Sequence, residues 1–240
     1  MNVTTPESKN AQVSEGINVA WPDLVRFVRQ VSHDLRNQLN AVELQSAFLS
    51  ELATDEDIKE EIKRLRKMVS ECGAALQKLS TRLSPPPPNF TPYGAADFME
   101  DLKAKIGLEF PKQASATDWK VETENTPANI DPQLLQDALL ELFRNAFEHM
   151  NEGASLGFIA RTEGDNLVLT LYEPKSEFAL GTEKWGREPL RNVNRGHYGL
   201  GLNRARTIIE GHGGKLDAQY DSSGARLVTN IILPLAPSGK

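Results

Sequence analysis

Residues 58–83, IKEEIKRLRKMVSECGAALQKLSTRL, decide how this chain is built. Ile58, Ile62, Leu65, Val69, Cys72, Leu76, Leu79 and Leu83 follow one another in alternating steps of four and three. That spacing lines apolar side chains along one side of an α-helix, as in a helical bundle. Upstream, Val28, Leu35, Val42 and Leu49 recur every seven residues. Leu24, Val31 and Leu52 take intermediate positions, and Gln38 and Gln45 interrupt them. Pro22 suits the first turn of this earlier helix. Thr54-Asp55-Glu56-Asp57, between the two, is polar and able to cap the second helix. So short a connection makes the helices antiparallel neighbours. A lone hairpin buries one stripe on each helix, which is a poor core. Pairing with a second copy completes a four-helix bundle, so a homodimer is expected.

Outward from the hairpin, residues 1–18 are rich in Ser, Thr, Asn and Glu without apolar periodicity. They are expected to be a disordered tail, with no sensor domain in it. Ser84 is followed by four prolines, Pro85 to Pro88, which cannot continue a helix and favour a stiff extended linker. The expected division is therefore a tail at 1–18, a hairpin at 19–84, a linker at 85–92 and a second domain at 93–240. That second domain reads as mixed α/β. Helices are expected at 94–106, at 132–150 and at 200–210, the last ended by Gly211-His212-Gly213-Gly214. Strands are expected at 119–121, 156–160, 167–172 and 227–233.

Composition narrows the function. The 240 residues are 39% hydrophobic and 25% charged, an ordinary globular balance. A net charge of −6 argues against a nucleic-acid binder. No apolar run approaches the roughly 20 residues that cross a bilayer, and no secretory signal pattern opens the chain. A single cysteine, Cys72, excludes an intrachain disulfide. A cytoplasmic protein without membrane insertion is expected. Cys72 lies on the bundle stripe and is expected in its core.

Three stretches could carry chemistry. His33 points away from the bundle seam, with Asp34 beside it and Asn37 one helical turn later on the same face. An exposed imidazole is a competent nucleophile for phosphoryl transfer, and a neighbouring carboxylate can orient it or take its other proton. Taken alone, it reads more readily as an ordinary surface histidine on a charged helix. In LLELFRNAFEHM, residues 139–150, Glu141 and Asn145 share one side of a helix. A carboxamide oxygen such as that of Asn145 is a good Mg²⁺ ligand beside phosphates. In GHYGLGLNRARTIIEGHGG, residues 196–214, glycines let backbone N–H groups approach phosphates at the start of a helix. His149 and His212 read as structural.

Ser32-His33-Asp34-Leu35-Arg36-Asn37 closely resembles the phosphoacceptor box of two-component histidine kinases, on the first of two bundle helices as in that family. Residues 139–150 resemble the Asn box of the ATPase fold shared by histidine kinases, gyrase and related chaperones. Residues 196–214 resemble the second glycine box of the kinase ATP-binding domain. The resemblance implies an α+β chain: a dimeric helical hairpin followed by an α/β-sandwich ATPase-like domain. It implies that His33 takes the phosphoryl group, that Asp34 acts as a base and that Asn37 serves in removing phosphate from the partner. It further implies that Asn145 holds Mg²⁺, that Glu141 is the acidic residue one turn earlier, and that Gly199, Leu200 and Gly201 border ATP. Glu173, after the strand at 167–172, stands in for the aspartate that reads the adenine amino group.

The chain departs from the pattern at several positions. Gln38 stands where many members have proline, Glu148 where a phosphate-contacting lysine is common, and His197 where the first glycine of its box is usual. Lys175 and Glu177 replace both glycines of the adenine box, where glycine permits close backbone approach. The implied function is transfer of the ATP γ-phosphoryl group to His33 and then to a response-regulator receiver aspartate. The alternative is a histidine phosphotransferase of the same fold that has lost ATP binding. A third is a scaffold or phosphatase in which Asn37 positions water.

Overall fold

The computed structural model describes residues 19–150, 153–178, 182–190 and 199–236. The expected tail at 1–18, and Gly196 and His197 of the glycine string, lie outside these residues. The chain divides into two compact units, 1–80 and 81–240.

The first unit holds α1 (Trp21–Leu52) and most of α2 (Glu56–Leu83). Pro22 sits in the first turn of α1, where its missing N–H costs no hydrogen bond. Asp55 caps α2 by accepting from the N–H of Asp57 at 2.8 Å. The fully buried residues of α1 are Ser32 and Ser46, and of the heptad stripe only Val28 is half-buried beside them. Ser46 donates its hydroxyl proton to the Val42 carbonyl. Val31, Leu35, Val42 and Leu49 remain 38–46% exposed. On α2, Val69 is buried while Ile58, Leu65 and Met68 are exposed. Cys72, expected in a core, is exposed as well. Two helices cover one side of each other, so a stripe facing elsewhere stays open. A shallow recess of about 360 Å³ runs along Asp57, Ile58, Glu61, Ile62 and Leu65.

The second unit layers helices on a sheet. Its elements are β1 (Thr91–Gly94), α3 (Ala95–Glu109), α4 (Pro111–Ser115), β2 (Asp118–Glu122), β3 (Pro127–Ile130) and α5 (Pro132–His149). They continue with β4 (Gly157–Glu163), β5 (Asn166–Pro174), a 3₁₀ turn (Thr182–Lys184), α6 (Gly201–Gly211), β6 (Lys215–Asp221) and β7 (Arg226–Pro234). Five strands form one sheet in the order β2-β4-β5-β7-β6, and β1 pairs with β3 separately. All neighbours are antiparallel except β2 and β4. Leu167, Leu169 and Leu171 project from β5 at alternate positions into the core, where Leu135, Leu139, Leu142 and Phe143 of α5 meet them. Phe143 stacks on Trp119 at 5.4 Å and also meets Phe158 at 5.2 Å.

Two ends of α5 and α6 position the site. Asp131 caps α5 by accepting from the Leu134 N–H at 2.9 Å, with Pro132 following. His212 is buried past the end of α6, where its Nε2 accepts from the Asp131 N–H at 3.1 Å. Its Nδ1 lies 2.7 Å from the Ile208 carbonyl oxygen. The ring thus ties the end of α6 to the start of α5, in line with a structural role. The strands β1, β3 and β6 and the short helix α4 were not expected from the sequence. TPYG and PANI are four residues each and contain proline, too short for any periodicity to show. Among the described residues, no helix is long and apolar enough to cross a membrane.

Candidate functional site

The site residues fall into two groups, one in each unit. In the first, the helical repeat of α1 gathers His33, Asp34 and Asn37. Nδ1 of His33 lies 3.3 Å from Oδ1 of Asp34 and 3.4 Å from Nδ2 of Asn37. Gln30, one turn earlier, donates to the same Asp34 oxygen at 2.9 Å. The hydrogen bonds from His33 and Gln30 hold the Asp34 carboxyl below its ordinary range. The His33 side chain is 64% exposed. Its two Nδ1 contacts favour opposite tautomers. Asp34 accepts only from a protonated Nδ1, which leaves the Nε2 lone pair free. Asn37 Nδ2 donates only to an unprotonated Nδ1, which places the proton on Nε2. No described residue bonds to Nε2, so that nitrogen faces solvent.

In the second unit one face of α5 carries Glu141, Asn145 and His149, each one turn from the next. Glu141 lies at the start of α6. A Cβ added to Gly201 would fall 2.0 Å from its Oε1. Its Oε2 is 2.6 Å from Arg144 and 3.8 Å from Arg82, which belongs to the second unit although it ends α2. Arg144 also pairs with Glu109 at 3.0 Å. The Asn145 side chain is half-buried and bonds to no described residue. Gly199 has φ 62°, a conformation natural to glycine, and its carbonyl accepts from the Leu190 N–H. Leu200 is 1% exposed, so only its backbone can face a ligand.

Glu173 lies near the end of β5, 3% exposed. Burial pushes its carboxyl up. Lys175, and more weakly the charge on His149, oppose that shift without cancelling it. Lys175 Nζ is 2.8 Å from Glu173 Oε1, close but poorly aligned as a hydrogen bond. The same ammonium lies over the Phe178 ring at 5.4 Å. Phe178 stacks on Tyr220, whose hydroxyl donates to the Ser176 carbonyl at 2.8 Å. Lys175 thus touches both Glu173 and the Phe178 ring, and Tyr220 bonds to the backbone of the same loop. The sequence reading took Lys175 as bulk in place of glycine. It missed that Lys175 pairs with Glu173, though a two-residue spacing of opposite charges signals that option. It also missed Arg144, which stands three residues after Glu141 on the same helix face.

These residues fit ATP and Mg²⁺ at one end. An unpartnered carboxamide at Asn145 suits a hard cation, and the backbone at Gly199 and Gly201 suits phosphate. They fit less well at the base end, where Glu173 is already paired. Among the described residues no cluster of three His, Cys, Asp or Glu could hold a metal by itself.

No model of a known protein family matches the sequence. Among curated proteins, the chain is similar to the sensory histidine kinase/phosphatase NtrB of Salmonella typhimurium. The two are 25% identical over 241 residues, covering 93% of this chain and 65% of that protein. It is also 23% identical over 235 residues to the alginate biosynthesis sensor protein KinB of Pseudomonas aeruginosa, covering 87% of this chain and 36% of that one. The chain thus spans about a third to two thirds of the length of these curated relatives. Among solved structures, the catalytic domain of histidine kinase ThkA superposes on 62% of this chain and 99% of its own, with a TM-score of 0.51 and 19% identity. Full-length ShkA in complex with AMPPNP superposes on 90% of this chain and 47% of its own, with a TM-score of 0.60 and 16% identity.

Proposed function

Because this chain is built on the core of a two-component histidine kinase, we propose that His33 takes a phosphoryl group on Nε2 and passes it to a receiver-domain aspartate of a response regulator. The observation that carries this reading is the exposed His33 ring, with Asp34 at Nδ1 and nothing at Nε2. The Nε2 lone pair attacks phosphorus, the bond from phosphorus to the leaving oxygen breaks, and the Nδ1 proton stays on its hydrogen bond to Asp34. In the onward step an aspartate oxygen attacks the phosphorus, the phosphoramidate bond breaks and its electron pair returns to Nε2. The working division is a hairpin at 19–84 acting as a homodimer, a linker at 85–92 and an ATPase-like domain at 93–240, in the cytoplasm.

ATP supplies the phosphoryl group in this reading, and Mg²⁺ neutralises the charge of its phosphates. Asn145 would hold the metal, Gly199 and Gly201 would border the phosphates, and Glu173 would face the base. A second reading, a phosphotransferase without ATP use, is favoured by the Lys175–Glu173 pair, which commits the base-reading carboxylate to the chain's own cation.

Label from Mg²⁺-ATP tests the first reading. Acid-labile label on the unchanged chain, absent from His33→Gln and from Asn145→Ala, is the expected result. Label that enters His33 only from a phosphorylated receiver domain, and equally in Asn145→Ala, selects the second. Label from neither source overturns both.

A further inference from the structure

Glu141 is held from three sides. Arg144 and Arg82 approach its Oε2 at 2.6 and 3.8 Å, and its Oε1 occupies the space that a side chain at Gly201 would take. A Cβ at Gly201 would lie 2.0 Å from Oε1 and 2.7 Å from the carboxyl carbon. A side chain there would displace the carboxylate from its present position. Gly201 opens α6, an 11-residue helix that no side chain caps. The free N–H groups of its first turn carry partial positive charge. The carboxylate therefore sits against two guanidinium groups and a helix start, and only 17% of its side chain is exposed. An anion already fills the position beside the glycine turn, and that anion belongs to the chain.

We propose that Glu141 is an internal competitor for phosphate: its carboxylate occupies the place beside Gly201 that a nucleotide phosphate must enter. Entry displaces Glu141 and leaves Arg82 and Arg144 to meet the phosphate instead. Arg82 stands three residues before the first of the four linker prolines. This inference rests on the reading that residues 199–201 border phosphates. It concerns when they do so.

Two measurements decide it on the full chain, and neither uses phosphorylation of His33. A failure of His33 to take phosphate, which counts against the proposed function, leaves both of them readable. The first is calorimetric binding of pyrophosphate with Mg²⁺. Glu141→Gln keeps the shape and removes the charge, and is expected to bind at least about tenfold tighter than the unchanged chain. Adding Arg82→Gln to Glu141→Gln is expected to reverse that gain. Equal or weaker binding by Glu141→Gln, or no binding by either protein, overturns the proposal. The second is thermal melting. Gly201→Ala is expected to lower the melting temperature in the unchanged chain and far less in a Glu141→Ala background. Equal losses in both backgrounds mean that Glu141 does not require the glycine, and overturn the contact on which the proposal stands.

Discussion

His33 owes its chemistry to residues within one turn of it. Asp34 and Asn37 both reach Nδ1, and their demands on the proton are opposite. Asp34→Asn keeps an oxygen acceptor but removes the negative charge that holds the proton on Nδ1, and is expected to slow phosphoryl acceptance at His33 about 10²-fold in quenched-flow labelling. Asn37→Ala removes the rival donor. Acceptance should stay within about threefold, while ¹⁵N shifts of the ring move toward the Nδ1–H tautomer. Asp221 makes a pH argument of the same local kind. The Ser223 hydroxyl, the Gly224 N–H and Arg226 pull its carboxyl down to about 2. A carboxyl depressed in the folded state adds stability above its unfolded value of about 3.9, and loses it as pH falls toward the folded value. Urea midpoints of the unchanged chain and Asp221→Asn should therefore differ at pH 6 and converge between pH 4 and pH 2.

At the scale of elements, caps and stripes do separate work. Asp55 satisfies the Asp57 N–H at the start of α2. Asp55→Ala should cost about 1 kcal/mol of hairpin stability, read by circular dichroism. In the second unit, Phe143 joins α5 to the sheet through Trp119 and Phe158. Phe143→Ala leaves a cavity that the surrounding rings fill only in part, at a cost of about 3–5 kcal/mol in urea unfolding. Length helped but did not decide alone, since β6, with seven residues, was not expected and β2, with five, was. α5 repeats its apolar positions over 18 residues, whereas β1 and β3 have four residues each. The heptad of α1 was legible, but its direction was not. Periodicity shows that Val31, Leu35, Val42 and Leu49 share a side. It does not say whether the neighbouring helix or a second chain covers that side.

For the whole molecule, the open stripe matters most. Val31, Leu35, Val42 and Leu49 on α1 and Ile58, Leu65 and Met68 on α2 are large apolar residues left exposed in one copy. Large apolar residues left exposed in such number are typical of a protein interface. The proposed homodimer covers it. Val42→Glu with Leu49→Glu should convert a dimer to a monomer in sedimentation equilibrium, because like charges on facing helices repel in a dry seam. A monomeric unchanged chain would sink the bundle reading.

The sequence by itself determined the hairpin, the longer helices α3, α5 and α6 and the strands β2, β4, β5 and β7 after the prolines, and the grouping of His33, Asp34 and Asn37. All of these rest on spacing within a single element, which a 3.6- or 2-residue period exposes. Tertiary structure decided the rest. It set Glu141 against Gly201, 60 positions away in sequence, and buried Glu173 beside Lys175. It also buried Ser32 and Ser46 of α1 and left Leu35, Val42 and Leu49 of the heptad stripe exposed. Those arrangements depend on which elements the fold packs together, and on whether desolvation or ion pairing wins at each contact. No local period encodes either.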